Sequence, residues 1–323
     1  MRIIFTAGAI AVMMAISARS QAQTYPQRPI TIIVAQAPGS GPDMMARGIG
    51  QKLTELWGQQ VVVENRPGAN GIIGMEAVAK AKPDGYTLVL AVPSAVAMNP
   101  FIYKQLPYDT LRDLAPITQA VTNTFGLVIN ATLPVRTVPE LVALGRARPT
   151  QLNYASAGIG NQTHLAGELF AAETRLRMTH VPYKGQTPAL TDLISGQVTL
   201  MFTPLPGAAQ HIASGRLRLI ATCGEQRDSA FSQVATMREA GFPTVIITGW
   251  NGLLAPAGVP RDIVNRLHGE VARYLLAPAT KAMLLQLGAD PVGSTPEQFT
   301  AFIKTESAKW SKVIKAAGLE YTQ

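Results

Sequence analysis

The feature of this sequence that most restricts its fold is a run of β-branched residues followed by a glycine-rich turn and a helix start. Residues 30–34 (ITIIV) are typical of a buried strand, and residues 38–41 (PGSG) follow as the turn. Pro42 suits the first turn of a helix, and Asp43 is favourable at its positive end. Such a turn leaves backbone N–H groups without an acceptor, and a bound anion can accept hydrogen bonds from them. The stretch predicts either half of a binding site for a small carboxylate or an ordinary strand-to-helix connection.

The same order of elements continues along the chain. Further strands are predicted at 61–63 and 87–92, each preceded by a helix. This β-α-β-α-β pattern is typical of a parallel sheet with crossover helices. Ligands bind such sheets beyond the carboxyl ends of the strands, where Ser94 and the first turn both lie.

A second copy of the pattern lies near the middle of the chain. A strand predicted at 152–155 ends in the small-residue turn 156–161 (SAGIGN), and a helix follows from about 162 to 173. We therefore predict that helix N-termini from two domains face each other across a cleft and close on one anion.

The domain organisation follows from two extended stretches, near 117–130 and 245–252, which are predicted to cross between the domains. A chain of 323 residues suits two α/β domains of ordinary size. Two crossings imply that the first domain is built from both ends of the chain, as residues 23–122 plus 252–323. The second domain is then residues 123–251. A hinged receptor whose lobes close around a ligand has this arrangement.

The N-terminus predicts export. An apolar segment, residues 3–16, follows Arg2, and residues 20–22 (SQA) form a small-x-small cleavage pattern. Residues 1–22 are thus predicted to be a signal peptide that is cleaved near Ala22, because the apolar segment is too short for a permanent membrane span.

Composition narrows the classes of partner and chemistry. The net charge is +8, and the Lys and Arg residues are dispersed, without the aromatic platforms typical of nucleic-acid binding, so an acidic ligand is favoured. Cys223 is the one cysteine, which excludes a disulfide framework. No nucleotide phosphate loop, zinc-ligand spacing or nucleophile elbow is present. We predict no catalytic residue, no metal and no cofactor.

At this point the sequence resembles a known family, the Bug-type periplasmic receptors, which are the solute-binding component of tripartite tricarboxylate transporters. The similarity extends over essentially the whole mature chain. It is carried by short blocks at 38–43 (PGSGPD), 64–69 (ENRPGA), 83–88 (PDGYTL), 106–109 (LPYD), 154–158 (YASAG), 164–170 (HLAGELF), 180–185 (HVPYKG) and 252–258 (GLLAPAG).

The resemblance implies an α/β, two-lobed periplasmic-binding-protein fold (type II), in which each lobe is a mostly parallel sheet flanked by helices. It implies a monomeric receptor in the periplasm that closes on a small organic acid and delivers it to the membrane subunits of a transporter. The carboxylate would be held by the loops 36–43 and 156–161. Together with the strand ends, the candidate ligand-binding residues are Gln36, Pro38, Gly39, Ser40, Gly41, Asp43, Ser94, Ser156, Ala157, Gly158, Gly160, Asn161, His164 and Thr203.

The sequence departs from the family pattern in the first loop, which commonly has Pro-Gly-Gly-Gly-x-Asp. Here Ser40 replaces a glycine and could add a hydroxyl contact, while Pro42 removes one backbone donor. Asp43 and His164 could each contact the ligand or only stabilise their own helix terminus, and Trp250 could line the cleft or pack in the hinge.

Two questions of function stay open at this stage. The ligand could be a dicarboxylate, a tricarboxylate, an aromatic acid or an amino acid. The alternatives to a transport receptor are a ligand-sensing subunit for a membrane kinase and an exported hydrolase or transferase on the same fold.

Overall fold

The structure, a computed structural model, describes residues 25–148, 152–316 and 318–320. The predicted signal peptide, residues 1–22, lies outside the described residues. The strands are β1 (Ile30–Val34), β2 (Val61–Asn65), β3 (Thr87–Ala91), β4 (Leu114–Asn130), β5 (Asn153–Ser156), β6 (Thr179–Pro182), β7 (Leu200–Pro204), β8 (Leu217–Thr222), β9 (Thr248–Pro256) and β10 (Ala289–Pro291). The α-helices are α1 (Gly41–Trp57), α2 (Ile72–Ala79), α3 (Asn99–Ile102), α4 (Thr110–Asp113), α5 (Val138–Ala147), α6 (Gln162–Thr174), α7 (Gln186–Ser195), α8 (Ala209–Ala213), α9 (Arg261–Leu276), α10 (Pro278–Gln286) and α11 (Pro296–Ala316).

The first strand-turn-helix unit forms as its sequence predicts. β1 is almost wholly buried, and α1 begins after Ser40 and ends at Gly58, whose φ of 65° gives the left-handed cap that glycine adopts without strain. Met45, Ile49 and Leu53 follow helical spacing and are buried against the sheet.

The strands form a mixed sheet in the order β2-β1-β3-β9-β4-β7-β5-β6, with β8 and β10 also paired to β4. β1 pairs in parallel with β2 and β3, and β5 pairs in parallel with β6 and β7. β4 and β9 are antiparallel to their neighbours, because they connect the two parallel sets rather than belonging to either one.

The sheet passes from one lobe to the other through β4, which has 17 residues. Its residues 114–124 pair with β9, and its residues 125–130 pair with β7 and β8. The two-lobed α/β fold predicted from the sequence is therefore present. β4 contains the predicted first crossover and β9 overlaps the returning one, while β10 and the short helices α3 and α4 were not predicted.

Helix α11 fastens the C-terminal part of the chain to the crossing strand β9. Trp250 of β9 is buried and packs edge-on against Phe299, with ring centroids 5.5 Å apart. Glu306 accepts hydrogen bonds from Trp250 Nε1 (3.2 Å) and from Trp310 Nε1 (3.0 Å). This buried carboxylate satisfies two indole N–H groups at once. Within the described ranges, no helix combines the length and the hydropathy needed to cross a bilayer.

Replacing Glu306 should test this connection. Glu306→Ala leaves two buried indole N–H groups unpaired, and we expect the free energy of unfolding in urea to fall by about 2–4 kcal/mol. Glu306→Gln keeps a carbonyl oxygen as acceptor and should lose less than half of that amount. Equal losses in the two variants would contradict the role given to the hydrogen bonds.

Candidate functional site

Both glycine-rich turns line one cavity of about 130 Å³, which is here named the main cavity because it touches both turns and not because of its size. The first turn contributes Gln36, Ser40 and Gly41, and the second contributes Ala157 and Asn161. The two lobes touch beside the main cavity. The remaining residues that line it are Pro42, Met44, Met45, Gly48, Val92, Pro93, Ser94, Asn123, Phe125, Gln162, Thr163, Gln186, Pro204, Pro206, Gly249, Trp250, Asn251, Tyr274, Met283, Leu284, Leu287 and Ala289.

The contact between the lobes is direct. Thr187 Oγ1, at the start of α7, donates a hydrogen bond of 3.2 Å to the carbonyl oxygen of Pro38 in the first turn. Trp250, from β9, lines the main cavity and also packs against Phe299 of α11; its role in a hinge stays a prediction.

Ser40 is the N-cap residue of α1, yet its hydroxyl does not cap the helix. Its side chain is 2% exposed, and Oγ has no hydrogen-bond partner among the described residues. The first N–H groups of a helix have no acceptor within it, and Pro42 has no N–H at all. Among the described residues Gly41 N–H has no acceptor, and Gly41 lines the main cavity. The start of α1 therefore places a buried hydroxyl and an unpaired N–H group beside the main cavity.

Asp43 does not line the main cavity. Its carboxylate accepts hydrogen bonds from Gly39 N (2.9 Å), from Asn65 Nδ2 (2.9 Å) and from both Arg47 Nε and Nη2 (3.0 Å each). Burial alone would raise the pKa of Asp43, but the hydrogen bonds from Arg47, Gly39 and Asn65 outweigh it and hold that pKa below its usual value. Asp43 thus stabilises the first turn by accepting hydrogen bonds from Gly39 and Asn65.

The second turn is organised differently, because its own residues use most of its backbone donors. Asn161 Oδ1 caps α6 by accepting from Thr163 N (2.8 Å) and His164 N (3.2 Å). Ala157 N donates to Thr163 Oγ1 (2.8 Å), and Gly160 N donates to His164 Nδ1 (3.0 Å). The second lobe therefore presents the side-chain amide of Asn161 more than a set of free N–H groups.

Two stacked histidines make hydrogen bonds to residues of the second turn. The rings of His164 and His180 are 4.0 Å apart, and Ser156 Oγ lies 2.6 Å from His180 Nε2. Burial, and then the neighbouring His164, lowers the pKa of His180 to about 4. Burial also lowers the pKa of His164, with Glu168 opposing it. Both rings are neutral at pH 7, and each makes a hydrogen bond to a residue of the second turn.

Gln186 is a cavity residue that sequence reasoning missed. It is 5% exposed, begins α7 and lines the main cavity, and its Nε2 donates to Thr203 Oγ1 (2.6 Å). Gly185 before it has a φ of 122°, a conformation that glycine adopts freely. The sequence could have indicated Gln186, because a strand, a glycine and a helix start follow one another here as they do at the two glycine-rich turns.

The structure brings some candidate residues together and separates others. Gln36, Ser40, Gly41, Ser94, Ala157 and Asn161 line the main cavity. Gly158 lines a second cavity of about 260 Å³, which shares Gln36 and Ala157 with the main one. The candidates that line neither cavity are Pro38, Gly39, Asp43, Ser156, Gly160, His164 and Thr203. Direct ligand contact by any of these residues stays a prediction.

No Asp, Glu, Lys, Arg or His side chain lines the main cavity within the described part of the chain. In the same residues, no group of three or more His, Cys, Asp or Glu side chains is arranged to hold a metal ion. The polar groups that face the cavity are hydroxyls, amides and backbone N–H groups. This set can stabilise an anion without neutralising it by a counter-charge.

The histidine pair predicts a pH dependence of stability. In the unfolded chain His180 is protonated below about pH 6.5, whereas in the folded chain it is protonated only below about pH 4. The free energy of unfolding therefore falls as the pH drops through this window, because the unfolded state binds the proton first. We expect a loss of about 2 kcal/mol from this group, allowing for solvent screening of a half-buried ring. Urea unfolding between pH 7 and pH 4 measures it. His180→Gln should flatten the slope relative to the unmodified protein, and an unchanged slope would contradict the assignment.

Comparison with known proteins places the chain in a family. The model of the tripartite tricarboxylate transporter family receptor matches residues 45–319. BugT of Bordetella pertussis (strain Tohama I) is 37% identical over 304 residues, which cover 94% of this chain and 93% of BugT.

Comparison with solved structures supports the same family. Rpa4515 of R. palustris, solved with adipate, is 35% identical, has a TM-score of 0.89, and is matched over 91% of this chain and 98% of its own. MatC from Rhodopseudomonas palustris, with bound malate, is 29% identical with a TM-score of 0.84, over 90% of this chain and 100% of its own. The family predicted from the sequence is thereby confirmed: the chain belongs to the tripartite tricarboxylate transporter receptor family, whose members are solute-binding receptors and not enzymes.

Proposed function

We propose that this protein is a periplasmic receptor that binds a small organic acid between its lobes and delivers it to the membrane subunits of a tripartite transporter. The observation that carries the proposal is Ser40, which lines the main cavity at the start of α1 and whose buried hydroxyl has no hydrogen-bond partner in the described part of the chain. A carboxylate oxygen is an acceptor that such a hydroxyl and the neighbouring N–H groups can share.

The electrostatics of the main cavity favour an anion. The positive end of the α1 dipole contributes about 0.3–1 kcal/mol towards a carboxylate, and more where the group is partly buried. Asp43, at the start of α1, has its charge compensated by Arg47. A bound cation would find no counter-charge among the residues that line the cavity.

The relatives support the same chemistry, since adipate and malate are the ligands in two of the similar structures. The family description supports delivery to a tripartite transporter. In our proposal the lobes comprise residues 23–122 with 252–323 and residues 123–251, and β4 and β9 form the hinge between them. The contact of Thr187 with Pro38 belongs to the closed arrangement.

Binding is tested by isothermal titration calorimetry after a thermal-shift screen of the mature protein against organic acids, with their primary amides as controls. A ligand that binds only the folded state raises the melting temperature with its concentration. We expect shifts with acids and none with the matching amides. Equal shifts with acids and amides, or none with any acid on refolded protein, would refute a carboxylate receptor.

Ser40→Ala should weaken the binding of an acid found in this screen by about tenfold or more, because it removes a buried hydrogen bond to a charged group. The melting temperature of the ligand-free protein should stay unchanged, since the hydroxyl has no partner to lose among the residues that the structure describes. Ser232→Ala, at an exposed serine outside both cavities, is the matched control. An affinity equal to that of the control would remove Ser40 from the site.

Asp43→Ala should act through the turn. It removes the acceptor of Gly39 N, Asn65 and Arg47, so we expect about tenfold weaker ligand binding together with a loss of about 1–3 kcal/mol in unfolding free energy. Asp43→Asn keeps one acceptor oxygen and should be intermediate in both measurements. Weaker binding at unchanged stability would instead indicate direct contact with the ligand.

Delivery is tested in cells. Deleting the gene for this receptor should abolish uptake of the radiolabelled acid identified in the screen, and the unmodified gene should restore it. The Ser40→Ala receptor should restore uptake only at higher acid concentrations. Uptake that persists in the deletion strain would refute delivery while leaving the binding result intact.

A further inference from the structure

The main cavity continues along one face of α1. Gly41, Met44, Met45 and Gly48 all line it, and their spacing of three, four and seven residues places them on a single stripe of the helix. Such a stripe is about 10 Å long. Beyond the first turn it carries only methionine side chains and a glycine. The cavity therefore has an apolar wall that begins where the unpaired donors of Ser40 and Gly41 end.

A second wall comes from the C-terminal part of the chain. Met283, Leu284 and Leu287 lie on one face of α10 and just beyond its end, and they line the main cavity together with Tyr274 of α9. The hydroxyl of Tyr274 reaches α1 at Gly48, where a Cβ would lie 2.6 Å from it. Tyr274 thus bridges the two walls at the far end of the stripe.

The rest of the cavity has few groups that could stabilise a second carboxylate. No side chain with a formal charge lines it in the described residues, and three of its amide groups already donate within the protein, namely those of Asn123, Gln162 and Gln186. A second carboxylate that extends along α1 would lie beside the methionine and leucine side chains of the two walls, with the Tyr274 hydroxyl as the polar group at their far end. Burying a charge without a partner is strongly unfavourable.

We propose that the main cavity selects a carboxylic acid with one charged end and an apolar body, an alkanoate or an aryl carboxylate, over short dicarboxylates and tricarboxylates. The carboxylate lies at the start of α1, and the body lies between α1 and α10. This inference rests on the proposed function and names the substrate class of the same site.

Calorimetric titration of the mature protein with hexanoate, benzoate, succinate and citrate tests the class. We expect hexanoate or benzoate to bind at least about tenfold more tightly than succinate and citrate. If succinate or citrate binds as tightly as both apolar acids, the inference is wrong and the carboxylate receptor stands. If no organic acid binds at all, the proposed function fails with it.

A charge placed on the apolar wall tests the position of the body. Met283 is 47% exposed, so Met283→Lys is compatible with folding and sets an ammonium group on the cavity wall. Adipate has six carbons like hexanoate but a second carboxylate, and it should gain about threefold or more in affinity while hexanoate loses affinity.

The matched control is Leu276→Lys, which makes the same change of charge at a leucine that is 50% exposed on α9 and does not line the main cavity. Its adipate and hexanoate affinities should equal those of the unmodified protein. Equal shifts in the two lysine variants would mean that general charge attraction acts and that α10 does not face the ligand, which overturns the assignment of the wall.

Discussion

The cleft of this receptor depends on the backbone ladder of β4. Because one strand pairs with β9 in its first part and with β7 and β8 in its last, the sheet passes from lobe to lobe without a break. The ends of β1 and β5 therefore point towards each other, and both glycine turns reach one cavity. Glycines in β9 make this crossing possible: a Cβ at Gly249 would lie 2.6 Å from the Phe125 ring, and one at Gly252 would lie 2.1 Å from Phe299.

The two turns look alike in sequence but contribute differently. At the first, Asp43 accepts from Gly39 N, while the Ser40 hydroxyl and the Gly41 N–H have no partner among the described residues. At the second, side chains of α6 accept the backbone donors, and the stacked histidines fix the strand end. Buried polar groups of this kind are costly unless they are paired, so each support is needed to keep its turn in shape. As a result, one lobe supplies free hydrogen-bond donors, and the other supplies a turn whose backbone donors are already paired.

Much of the fold could be predicted from the sequence, because local signals specify it. The strand-turn-helix units at β1 and β5 lie within a few residues of their predicted positions. The cavity could be predicted only in part. Tyr274 and Met283 follow Ser40 by more than 200 residues, and no helical period shows that an apolar side chain faces a cavity rather than the core. Asp43 and His164 are polar residues beside glycine turns, and only their hydrogen bonds distinguish a support from a ligand contact.

The departures from the family pattern in the first turn compensate each other. Pro42 removes the N–H of the second helical residue, which a glycine-rich turn would leave free for an anion. Ser40, two residues earlier, returns one donor as the buried hydroxyl of a residue that lines the cavity. The number of donors is kept while proline restricts the backbone at the helix start, so less conformational freedom is lost when a ligand binds. A turn of this kind can hold one carboxylate firmly without a cation, and the selection among acids then passes to the apolar walls of α1 and α10.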